Sequence, residues 1–246
     1  MEINMDPAQL AELKNAAEEG FARAQFNLAL CYHHGGGVEK NFDEALKWYT
    51  KSADQGNINA CYTLGCLYYE GTEVPQDWSK AAEYFKIAAQ KGHTHARHYL
   101  AECYTFGQGL EQNFDEAFKW YEMAALKGHL EAQINLAICY SEGLGTVQNH
   151  DEALKWYREA SERNHPAAQF NIGLCYLHGE GVEQDDKEAF SWFLKAADQG
   201  LADAEYVLGQ MFQTGKGVVQ DDAIAKEWYR KAAEHGHEEA AKTLGL

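Results

Sequence analysis

Proline is nearly absent, at 3 of 246 residues. With so few interruptions of the N–H ladder, long stretches of the chain are free to be helical. No run approaches the ~20 consecutive apolar residues that a membrane-spanning helix needs. Positive charge is scarce: 21 Lys and Arg stand against 38 Asp and Glu, a formal net charge of −17. Affinity built on neutralising phosphates needs the opposite sign, so nucleic acid and anionic membrane surfaces are excluded as partners. The opening MEINMDPAQLAELKNAAEEG has neither a basic region nor an apolar core, and reads as no signal peptide. Gly-x-Ser-x-Gly, a phosphate loop and His-Glu-x-x-His are all missing. The Gly-x-Gly runs, such as Gly179-Glu180-Gly181, lack the preceding strand of a dinucleotide site. The carboxylates are not arranged as an isolated pair in an apolar setting. The expectation is a chain that is not an enzyme and holds no cofactor and no metal.

What is present is a repeat. Residues 43–56 read DEALKWYTKSADQG, and the phrase returns as DEAFKWYEMAALKG at 115–128 and DEALKWYREASERN at 151–164. Gly20, Gly56, Gly92, Gly128, Asn164, Gly200 and Gly236 fall 36 residues apart without insertion or deletion. Ala24, Ala60, Ala96, Ala132, Ala168 and Ala204 keep the same beat, as does the aromatic pair that begins with Trp48-Tyr49. A composition of 46% hydrophobic and 13% aromatic residues is ample for a packed interior.

Each unit holds two helices. In the first unit Ala24, Leu28, Cys31 and Tyr32 fall on one helical face, and Gly35-Gly36-Gly37 ends the helix. A second helix begins at Asn41, matched by Asp77, Asn113, Asn149, Asp185 and Asp221, side chains suited to accept the free N–H groups of a first turn. Ala45, Trp48, Tyr49, Ser52 and Ala53 form its buried face. Neither helix can hide its apolar side alone, whereas a stack of identical pairs can. Asp6-Pro7 opens a lone second helix running to Gly20, and residues 237–246 begin a first helix. The expected organisation is one all-α, α/α solenoid domain over 1–246. It consists of a half-repeat at 6–20, full repeats at 21–56, 57–92, 93–128, 129–164, 165–200 and 201–236, and a partial repeat at 237–246.

Cys31, Cys103, Cys139 and Cys175 share a repeat position with Leu67 and Met211, which marks it as an apolar packing position. Neighbouring rungs about 10 Å apart are beyond disulfide reach, and reduced thiols in a cytoplasm are expected. Among 11 histidines, His93, His95 and His98 cluster, but nothing completes a standard metal spacing. The recurrence of His93, His129, His165 and His237 at one repeat position points to a turn or cap role.

The segment AQFNIGLCYLHGEGVEQDDKEAFSWFLKAADQG at 168–200 resembles the Sel1-like repeat, a relative of the tetratricopeptide repeat, and the resemblance covers residues 6–246. It implies a right-handed superhelix with a concave face, and a role as an adaptor that holds proteins together. A cysteine-rich branch of the family is linked to β-lactam binding or hydrolysis, but its cysteine pairs are missing here. A ligand-binding or hydrolase-like protein of that kind, or a consensus-like scaffold with no natural partner, are the alternatives.

On a helical wheel, positions equivalent to 23, 26, 30, 33 and 34 face away from the buried side, with 27 at the edge. In tetratricopeptide relatives that side lines the inner wall. The series at 26 is Phe26, Tyr62, His98, Ile134, Phe170 and Tyr206, and its recurrence fits core and groove equally. The partner-binding residues expected from this wall are Tyr69, His95, His98, Tyr99, Glu102, Phe106, Asn135, Ile138, Asn171 and Leu174. No cluster of Lys or Arg lines it, so an apolar or basic protein or peptide segment suits it. Self-association through a terminal segment is a further option.

Overall fold

The structure, a computed structural model, describes residues 5–245. Residues 1–4 of the leader reading, and residue 246, lie outside it. The contacts divide the chain into two compact units, Met1–His129 and Leu130–Leu246. All regular structure among the described residues is helical. The first unit holds α1 (Pro7–Glu18), α2 (Ala22–His34), α3 (Phe42–Asp54), α4 (Ile58–Glu70), α5 (Trp78–Gln90), α6 (Thr94–Phe106) and α7 (Phe114–Ala125). The second holds α8 (Leu130–Glu142), α9 (His150–Ser161), α10 (Pro166–His178), α11 (Asp186–Ala197), α12 (Ala202–Thr214), α13 (Asp222–Glu234) and α14 (Glu238–Leu244). Even-numbered helices are the first (A) helices of a repeat and odd-numbered ones the second (B).

The boundaries follow the capping chemistry. Asn41, Asp77, Asn113, Asn149, Asp185 and Asp221 each accept a first-turn N–H from the B helix they open. Asp6 closes a capping box on α1, accepting from Ala8 and Gln9 while the Gln9 side chain returns to the Asp6 N–H. That helix ends at Glu18, just short of Gly20, because the chain tightens there: Gly20 N–H reaches Ala17 O. Asn164 takes a left-handed φ of 58° where the other repeats use glycine. Asn tolerates that conformation, and its amide also joins the polar contacts described below.

Within each unit, A helices pack on the B helix of their own repeat and on the B helix before it. The ring at position 49 fills the space between: Tyr49, Phe85 and Phe193 are wholly buried, each stabilising the fold by about 2–3 kcal/mol through burial alone. The helices approach so closely that a Cβ added at Gly65 or Gly173 would meet the ring of Phe85 or Phe193 at 2.5 and 2.6 Å. The six cysteines are free thiols, and all but Cys66 are buried.

The wheel is right for Ala24, Leu28 and Cys31, but it overstates Tyr32, which is half-buried, and it misses positions 25 and 29. An A helix wedged between two B helices is covered over a wider arc than a one-sided amphipathic helix. Position 25 is polar in every full repeat except the one with Cys61, and buried except at Arg97, which is half-buried; its polar side chains brace the stack. Gln25 Nε2 donates to Ala17 O of the preceding B helix at 3.2 Å, and its Oε1 accepts from Gln55 Nε2 at 2.7 Å. Gln169 Nε2 donates to Asn164 Oδ1 and its Oε1 accepts from Gln199, both at 2.8 Å. Glu205, 2% exposed, meets His235 Nδ1 at 2.8 Å. Arg97 Nε donates to Ala89 O at 3.2 Å. Each brace satisfies a group that would otherwise be costly to bury.

Candidate functional site

The residues expected to bind a partner lie on the A helices. In the first unit, α4 and α6 present Tyr62, Tyr69, His95, His98, Tyr99, Glu102 and Phe106. Tyr99 is half-buried and stacks on the core ring of Phe85, with centroids 5.0 Å apart and planes at 10°. Tyr69 meets Tyr99 edge-on at 5.5 Å, and its hydroxyl donates to Gln108 Oε1 at 3.0 Å. Tyr62 lies 6.2 Å from Tyr99 and stacks on the His93 imidazole at 4.2 Å. The aromatic rings thus form one connected surface rooted in the core.

The imidazoles continue it. His95, exposed, has its Nδ1 2.9 Å from Nε2 of His129, so one of the two nitrogens carries the shared proton. His98 stacks on His129 at 4.6 Å and turns an edge contact to Tyr99 at 5.5 Å, with its Nε2 3.8 Å from Glu102 Oε1. At 7% exposure His98 is buried, so it supports the wall from beneath and is not a contact residue on it. Its place in the binding set is corrected on that ground. Phe106, last in α6, stands 64% exposed.

Burial raises the Tyr69 hydroxyl to about 12 and the Cys66 thiol beneath the wall to about 11. Both groups stay protonated at neutral pH and offer no nucleophile. His93 is pushed below the ordinary imidazole range, chiefly by burial and next by His95.

The second unit uses the same positions differently. Ile138 and Leu174 are half-buried and lean on the aliphatic core around Ile172 and Leu208. Asn171 is half-buried and turns its amide back to Ala167 O at 2.8 Å. Asn135 is half-buried on α8.

Tyr62, His93 and His129 belong to the ring surface and were absent from the expected set. Their signal was a spacing of 31 residues: Tyr62/His93, His98/His129 and Tyr206/His237 are all stacked pairs. A second missed pattern links positions 33 and 49. The hydroxyls of Tyr49, Tyr121 and Tyr229 bond His33, Thr105 and Gln213, while Phe85 meets the Tyr69 ring at 6.0 Å and Phe193 shares a packed cluster with Leu177. Among the described residues no group of three or more His, Cys, Asp or Glu side chains is placed to hold a metal ion, and no helix is long and apolar enough to cross a membrane.

Six repeats match the Sel1 repeat family, at residues 22–57, 58–93, 94–129, 130–165, 166–201 and 202–237. The chain belongs to the Sel1 repeat family. It is similar to c5321, a protective antigen of uropathogenic Escherichia coli with an SLR fold, at 33% identity and a TM-score of 0.83. That match covers 98% of this chain and 51% of the antigen, so the chain spans about half of its relative's length. It is also similar to a Sel1 repeat protein from Oxalobacter formigenes, at 36% identity and a TM-score of 0.74, covering 98% of this chain and 70% of that one. No curated protein matches the sequence. Proteins of this family are generally non-catalytic scaffolds for protein–protein interaction.

Proposed function

We propose that the chain is a non-catalytic adaptor that binds an apolar or basic peptide segment on its A-helix wall, the side expected to be concave in this family. The observation that carries this reading is the continuous ring surface of Tyr62, Tyr69 and Tyr99, anchored on Phe85 and bordered by His95, Glu102 and Phe106. Rings fixed by a core beneath them lose little freedom on binding, which is why aromatic anchors dominate interface energetics. Glu102 on the wall and Glu70 at the end of α4, in a chain of net charge −17, favour lysine or arginine beside the apolar anchor.

Display of random peptides against the immobilised protein tests this. Enrichment of sequences with an apolar anchor flanked by basic residues, lost when Tyr99→Ala and Phe106→Ala are combined in a protein of unchanged helicity, is the expected result. Acidic consensus peptides, or peptides indifferent to the double variant, would reject the wall. Burial raises Cys139 and Cys175 to about 11 and Cys103 to about 12, so these thiols stay protonated at neutral pH. Five thiols should therefore resist a reagent at pH 8 in the native protein and react only on unfolding, with the half-buried Cys66 the first to be modified.

A further inference from the structure

His93 sits where α6 begins. Its backbone is extended, and its Nδ1 accepts the Ala96 N–H at 3.2 Å, in the manner of a capping Asn or Asp. The bond exists only while Nδ1 has no proton, because a protonated imidazole is a donor at both nitrogens. The preceding repeat solves the same problem differently: Asn57, at the equivalent position, caps α4 by accepting Ala60 N–H through its Oδ1 at 3.1 Å. One chain therefore carries both a proton-sensitive and a proton-insensitive version of one cap. His237 repeats the arrangement on α14, accepting Ala240 N–H at 3.2 Å and stacking on Tyr206.

The helix that His93 caps is the one that bears His95, Tyr99, Glu102 and Phe106, and its imidazole is itself stacked on Tyr62 of the wall. The titratable and charged groups around it are Tyr62 from α4, Lys91 at the end of α5, and His95 and Arg97 on α6. Lys91 is occupied with Gly56 O at 2.6 Å and Arg97 with Ala89 O at 3.2 Å. Around His237 the groups are Tyr206 and Asp203 from α12, His235 at the end of α13 with its partner Glu205, and Glu239 on α14. Asp203 lies 3.6 Å from the far nitrogen of His237, which makes His93 the cleaner case.

We propose that His93 is an acid-labile cap: protonation of Nδ1 releases the start of α6, loosens the ring surface that α6 carries, and promotes release of a bound segment. The cap stands on its own geometry, and only the link to release rests on the adaptor reading. Burial, and then His95, hold His93 below the ordinary imidazole range. The unfolded chain therefore takes the proton first. The cap's contribution is full above about pH 6.5 and is lost as pH falls through the depressed native value.

The test compares thermal unfolding of the full chain and of His93→Asn at pH 7.5 and pH 5.0. The variant should lose about 2–4 °C less of its midpoint on acidification than the unaltered chain, the size of shift expected from a lost cap in a chain of this length. Amide exchange of the unaltered chain should show the first turn of α6 losing protection at pH 5.0 while that of α4, capped by Asn57, keeps it. Equal midpoint losses, or equal protection in α4 and α6, would overturn the cap. A peptide from the display selection should dissociate more readily at pH 5.0 from the unaltered chain than from His93→Asn. Equal acid weakening in both would break the link to release while leaving the adaptor reading intact. If no peptide is selected, the adaptor reading fails by itself, and the cap is still decided by the midpoints and the exchange.

Discussion

At position 27 of the repeat the A helices of the first unit carry Asn27, Thr63 and Tyr99, whereas those of the second carry Asn135, Asn171 and Val207. At position 30 the contrast is Leu30, Cys66 and Glu102 against Ile138, Leu174 and Gln210. The positions beneath do not diverge. Ala24 and its equivalents are buried in both units at every occurrence among the A helices, and Phe85 and Phe193 fill matching sites. Packing dictates the lower layer, so it repeats; the upper layer is released from that demand and has differentiated. Tyr62/His93 of the first unit has a counterpart in Tyr206/His237 of the second, but only the first adds Tyr99 and the His95, His98 and His129 imidazoles to it, while Ile138 and Leu174 of the second lean back on its own core.

The largest effect that could break this comparison lies in the lower layer. Phe85→Ala and Phe193→Ala should each cost about 3–5 kcal/mol in urea unfolding, because both rings are wholly buried and leave a cavity. A loss in one unit several times that in the other would show that the matching sites are not equivalent. Next come the polar braces. Gln25→Ala should cost about 1–3 kcal/mol, since it strands the buried Ala17 carbonyl, and Gln169→Ala less, about 0.5–1.5 kcal/mol, because its partners Asn164 and Gln199 are exposed and regain water. Tyr99→Asn, which gives α6 the residue found on α8 and α10, should weaken binding of a display-selected peptide about tenfold, a loss of ~1.4 kcal/mol. Smallest is Phe106→Ala in the absence of ligand. Its exposed ring (64%) should leave the unfolding free energy within about 0.5 kcal/mol of the starting value.

The fold was legible because its signals are local and repeated six times. Asn41 and its equivalents announce the B helices by capping chemistry alone, and the Ala24 series marks where helices touch. The braces were not legible, because Gln25, Gln169 and Glu205 belong to neither the buried nor the outward-facing set of a wheel that assumes one buried side. Their burial comes from a second B helix, which a single-helix projection does not contain. The candidate wall was half legible. Tyr69, Tyr99 and Phe106 were expected on it, but His98 slipped beneath it by stacking on His129, a residue 31 positions away and in the next repeat. Contacts across that distance are set by how helices pack, and no periodicity within one helix reveals them.

The most direct test of the account is a quantitative pull-down with three baits of equal helicity: the unaltered chain, Tyr99→Asn combined with Phe106→Ala, and Ile138→Ala combined with Leu174→Ala. The account predicts a partner that the first-unit variant loses and the second-unit variant keeps, with recovery falling as salt is raised. A partner lost through the second-unit variant and held by the first would contradict it.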